Sequence, residues 1–132
     1  MRGSWIKALF IVVTVYDAVL GLAFLVLPER VFEMFQVTPP NHMAYVQFPG
    51  LLLLLFAALY ATIAADPVKH RILIPFGAGL KIAYAGIVFV YKATSGIPMM
   101  WLPWAWFDLV FLGLFIIAWR STGKAADALG KK

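Results

Sequence analysis

The chain has 132 residues, 64% of them hydrophobic and 13% charged, with mean hydropathy +0.91 and a formal net charge of +5. A water-soluble domain is about 45–50% apolar and about 25% charged, so this composition excludes a soluble fold and makes a lipid bilayer the natural solvent. The absence of cysteine excludes a disulfide framework, thiolate metal sites and thiol redox chemistry; the basic residues gather at the ends of apolar runs, so membrane topology rather than nucleic acid accounts for them.

Four apolar runs follow in chain order, 6–27, 43–65, 72–91 and 99–119. Each is close to the ~20 residues a helix needs to cross the hydrocarbon core. A barrel would show segments of ~10 residues alternating in polarity, and none is present. The expected fold is therefore all-α, a polytopic four-helix bundle in a single transmembrane domain. Arg2 and Lys7 stand at the head of the first run as in a leader peptide, but the run is too long and Pro28-Glu29-Arg30 follows it instead of a small-residue cleavage site. It reads as a retained span.

After "LPER" the stretch 29–37 sets Val31, Phe32 and Phe35 against Glu29, Arg30 and Glu33, a pattern that fits either a short interfacial helix or an ordered loop with buried aromatics. "TPPN" (Thr38–Asn41) makes a turn before the second run, and Pro49 is expected in that helix's first turn, as Pro103 is in the last helix. Asp66-Pro67 reads as a helix cap with proline at the first helical position, which predicts a tight hairpin between the second and third spans. "TSGIP" (Thr94–Pro98) separates the last two spans, and residues 120–132 form a basic tail.

Arg2, Lys7, Lys69, Arg71, Arg120, Lys124, Lys131 and Lys132 fall on one side of this topology, against Arg30 and Lys92 on the other. The positive-inside rule then puts both termini and the short hairpin on the cytoplasmic side. Trp5, Trp101, Trp104, Trp106 and Trp119 lie near span ends, as an aromatic belt requires.

Three ionisable residues interrupt the spans: Asp17, Lys81 and Asp108. At 1.5 Å per residue, Asp17 and Lys81 fall roughly 15–18 Å from the cytoplasmic boundary and Asp108 about 10–14 Å below the outer one. All three can meet in one layer. Each charge at a helix centre is disfavoured by ~2.5–3.5 kcal/mol, and Lys81 is about ten residues from either span end, too deep to snorkel. The groups are expected to face inward and pair. Two carboxylates against one ammonium leave a surplus negative charge, so one aspartate is expected to hold a proton.

Small residues flank the charges at helical spacing, Gly21 beside Asp17 and Gly77, Ala78 and Ala85 beside Lys81. They permit either close helix approach or a cavity edged by aromatics. Tyr16, Tyr84 and Trp104 are the candidate lining residues, and Tyr60 and Tyr84 candidate donors. Gln47 can reach the polar layer or satisfy backbone near Pro49, while Ala57, Ala61 and Ala65 form a small-residue stripe read as packing. His42 and His70 fall in loops on opposite sides and share no metal. No metal site, cofactor site or catalytic set is expected. "YDAVLGLAF" and "FDLVFLGLF" echo one another in spans of opposite direction, as an inverted repeat would.

The segments "YDAVLGLAFLVLP", "FPGLLLLLFAALYA" and "ADPVKHR", with a buried polar residue in the closing span, resemble the small four-helix DoxX-like membrane proteins over nearly the whole chain. That resemblance implies a four-span bundle, and some members are associated with quinone-linked or oxidative-stress systems. The chain is also similar to small multidrug resistance exporters in its first-span acid and in Gly77–Gly79. It departs from them in carrying Asp17 where they have glutamate, and Lys81, which would repel a cation.

Three functions follow. The first is a non-enzymatic membrane module binding a small apolar or anionic ligand, or a partner subunit, around the Asp-Lys-Asp layer. The second is a proton-coupled transporter of small molecules. The third is a structural accessory subunit that docks a larger membrane complex by an exposed helix face, its buried charges a lock for the bundle. Expected partners are the lipid bilayer, such a ligand, and a second copy of the chain or a membrane partner subunit.

Overall fold

The computed structural model describes residues 4–130. Arg2, Lys131 and Lys132, which bear on orientation, lie outside the described residues. Among the described residues, five α-helices and two short 3-10 turns account for the fold: α1 (Ser4–Val26), α2 (Pro28–Phe35), α3 (Ala44–Ala65), α4 (Ile74–Ala93) and α5 (Leu102–Gly130). All but α2 belong to segments long and apolar enough to cross a membrane.

Pro28 opens α2, where its missing N–H is no loss. Gln36 closes it in the left-handed region at φ 55°, which lets the Val37 amide reach back to the Phe32 carbonyl at 3.0 Å. The predicted apolar side of this helix is divided. Phe32 is buried with Phe24 and Met100 and Val31 packs against them, whereas Phe35 is exposed.

Three details at the helix ends differ from the sequence reading. Helix α3 already begins at Ala44, where His42 Nδ1 accepts the Ala44 amide, so Pro49 lies inside the helix and not in its first turn. Asp66 does cap, its Oδ1 accepting the Lys69 amide at 3.1 Å, but what it caps is a single turn. A 3-10 turn (Arg71–Leu73) follows, and α4 starts at Ile74 with Pro75 in its first turn. Helix α5 does not stop at Trp119. It runs on to Gly130, because Lys124-Ala-Ala-Asp-Ala-Leu contains good helix formers and no proline.

The closest pairings are α1 with α3 and α4 with α5. The second and third spans are joined by a short turn yet pack less intimately than either pair. Glycines decide the first pairing: a Cβ on Gly21 would stand 2.7 Å from the Gly50 carbonyl oxygen, so the two backbones touch only because neither residue has a side chain. The predicted alanine stripe is not what packs, since Ala57 is buried but Ala61 and Ala65 are exposed.

One core cluster, built on Phe10, Val13, Tyr60, Ile63 and Phe115, fills the end of the bundle that holds the start of α1, the α3–α4 turn and the distal part of α5. A second, of Phe24, Phe32 and Met100 with Trp101, fills the opposite end. The outer surface is studded with exposed Ile, Val, Leu and Phe, among them Val15, Val19, Leu55, Ile82 and Val110. So much contiguous apolar surface needs a lipid cover.

Arg71 ties the first end together. Its Nη2 donates to the Trp119 carbonyl at 2.9 Å, and its guanidinium carbon lies 3.6 Å from the centre of the Trp119 ring. Thr122 joins the same contact, its Oγ1 accepting from Arg71 Nε at 3.4 Å and donating back to the Ala118 carbonyl at 2.7 Å. Gly123 makes room, since a Cβ there would stand 2.8 Å from Arg71 Nη2.

Candidate functional site

Between the clusters at the two ends of the bundle the helices bring their charges together. Asp17 comes from α1, Lys81 from α4 and Asp108 from α5, and all three are buried, at 0%, 1% and 5% exposure. Lys81 Nζ donates to Asp17 Oδ1 at 3.1 Å and forms an ion pair with Asp108 Oδ1 at 3.2 Å. Three aromatic rings surround the ammonium, with centres 5.5 Å (Tyr16), 5.4 Å (Tyr60) and 5.4 Å (Phe111) from Nζ. A lysine in mid-span is tolerable here because carboxylates and ring faces replace its water.

The two carboxylates are not equivalent. Asp17 is sealed, its side chain 1% exposed, with a well-aligned bond from Lys81 and its Oδ2 buried without a hydrogen-bond partner. Asp108 keeps 7% of its side chain exposed. The layer lies against a cavity of about 600 Å³ that descends to it from the α2–α3 and α4–α5 connections. Tyr16, Tyr84 and Trp104 line it together with Asp17, Lys81 and Asp108, so the six residues singled out from the sequence share one space. Most of the remaining lining is apolar, with Leu20, Leu53 and Leu80 on the helices and Pro39, Pro40 and Pro98 at the mouth.

The predicted donors are engaged elsewhere. Tyr84 Oη donates to the Trp101 carbonyl at 2.7 Å and Tyr60 Oη to the Gly77 carbonyl at 3.1 Å, so neither reaches the charges through its hydroxyl. Both serve carbonyls at helix starts: Trp101 precedes α5, and Gly77 lies in the first turn of α4. Tyr60 also explains Gly77, because a Cβ there would collide with the Tyr60 ring. Gln47 likewise stays clear of the polar layer and donates to the Leu25 carbonyl at 3.2 Å, in the last turn of α1. Tyr16 Oη is buried with no partner.

The small residues beside the charges thus serve both of their possible ends. Gly21, Gly77 and Ala85 give close packing, while the space between the two helix pairs remains open as the cavity. The echo between the first and last spans has a spatial counterpart, since the aromatics preceding each aspartate, Tyr16 and Phe107, meet edge to face at 6.0 Å. Arg71 reads in the sequence only as a topology charge, and its hold on α5 goes beyond that reading.

Fold and layer together define a helical multi-pass membrane protein with a charged interior and an apolar vestibule above it. No family model, curated protein or solved structure matches the chain.

Proposed function

We propose that this protein is a non-enzymatic module of a bacterial inner membrane that holds a small, predominantly apolar molecule in the cavity above the Asp17-Lys81-Asp108 layer. The observation that carries this reading is the cavity itself. Its volume of about 600 Å³ falls within the ~300–1,000 Å³ of ordinary ligand sites. Its walls are apolar and aromatic, and its few polar groups converge at the floor, the arrangement that orients a ligand by one end. With both termini cytoplasmic, as the basic residues favour, the mouth opens on the outer side. The DoxX-like resemblance belongs to the same proposal and adds the four-span architecture, not a ligand.

The test is native mass spectrometry of the protein released from nanodiscs, beside a Leu80→Trp variant that fills the cavity from its wall without touching a charge. Wild-type protein should retain a small molecule that the filled variant lacks, while both give the same helical circular dichroism. If the two carry the same adducts, or neither carries any, the binding reading fails.

A further inference from the structure

We infer that the occupant of this cavity carries a protonated amine at its polar end, and that Asp108 is the carboxylate that receives it. This rests on the reading of the cavity as a binding site and adds the chemistry of the ligand's head.

The charge arrangement at the floor gives the sign. Lys81 would repel a cation if it stood alone, but its ammonium lies 3.1 Å from one carboxylate and 3.2 Å from the other and is 1% exposed. It has no charge left to offer an anion. Two carboxylates against one ammonium leave the layer one positive charge short, a place that a proton fills when the cavity is empty, and of the three lining groups Asp108 has the most exposed side chain. An anionic head would therefore approach a floor already short of positive charge through low-dielectric surroundings, where like charges repel far more strongly than in water. A monocation instead completes the charge balance, and Asp108 accepts its N–H bonds as charge-assisted ones. The walls agree with this sign. Tyr16, Tyr84, Trp101 and Trp104 all line the cavity, and their ring faces attract a positive head. The remaining apolar lining fits an aliphatic or aromatic body. Asp17 acts differently, because it is sealed and hydrogen-bonded to Lys81 and so holds the ammonium in place.

The experiment uses the protein in phosphatidylcholine nanodiscs and three terminally brominated probes of one chain length: decylamine, decanol and decanoate. Bromine quenches tryptophan, and Trp101 and Trp104 stand in the cavity wall. Each titration is corrected for partition measured on empty discs. The amine should quench saturably, at a concentration about tenfold or more below the alcohol, and decanoate should be weakest. In Asp108→Asn the amine should fall to the alcohol's level while the alcohol is unchanged. Equal affinities for amine and alcohol in the wild type would overturn the amine assignment and leave the cavity reading standing. Tightest binding by decanoate would overturn it too, by making Lys81 the ligand-facing charge. No saturable quenching by any probe would remove the cavity reading and this inference with it.

Discussion

Removing the ammonium of Lys81 is the sharpest perturbation of the buried layer. In Lys81→Met the stem of the side chain survives, but two carboxylates that share one nitrogen at 3.1 and 3.2 Å are left facing each other inside the bundle. Breaking a buried pair in this way typically destabilises by about 3–5 kcal/mol, most of it the penalty of the charge left behind. The loss should therefore disappear when the partners are neutralised too. The triple variant Asp17→Asn/Lys81→Met/Asp108→Asn is expected to recover at least half of the stability, because removing all members of a buried ionic set is often neutral or better. Reversible unfolding in mixed detergent micelles, followed by circular dichroism, gives both numbers and their coupling. A Lys81→Met cost below about 1 kcal/mol, in the range of exposed pairs, would refute the view that these charges are matched in a low-dielectric interior.

Two further predictions concern packing. Gly21→Ala should destabilise by about 1–3 kcal/mol, because the new methyl meets the Gly50 carbonyl of α3, whereas Gly79→Ala, which faces open space, should stay within about 0.5 kcal/mol; thermal melts in detergent compare the two. Arg71→Ala should cost about 1–2 kcal/mol through loss of the Trp119 carbonyl bond and the ring stack, and should speed amide exchange over residues 120–130; Arg71→Lys should rescue little, lacking the planar group. Unchanged exchange in Arg71→Ala would show that the distal part of α5 holds itself.

Much of the charged layer was legible because depth in a bilayer is countable. Helical rise alone put Asp17, Lys81 and Asp108 at similar height, and the expense of an unpaired charge turned them inward. Which helices pair closely was not legible. Spans apolar on every side carry no stripe to mark an inner face, and the deciding contact, Gly21 against Gly50, is a matter of two missing side chains. The fuller burial of Asp17 beside the more exposed Asp108 was equally out of reach, since both sit in similar sequence, aromatic-Asp followed by apolar residues. Tyr60 and Tyr84 misled for a physical reason: backbone carbonyls near helix starts compete for a hydroxyl as well as any charge does. The Arg71 hold on α5 had a faint signal in the Gly123 that admits it, four residues after Trp119 on the same helical side.

The length of α5 has a mechanical consequence. Its 29 residues make a rod of about 43 Å, well beyond the ~30 Å of a hydrocarbon core. Trp119, where Arg71 grips it, stands midway between Asp108 and Gly130. The guanidinium thus clamps the helix at the last residue of its apolar stretch. The surplus length is therefore carried past the Arg71 clamp, and the last turns, with Leu129 exposed, stand clear of the bundle's core at the end that holds the α3–α4 turn.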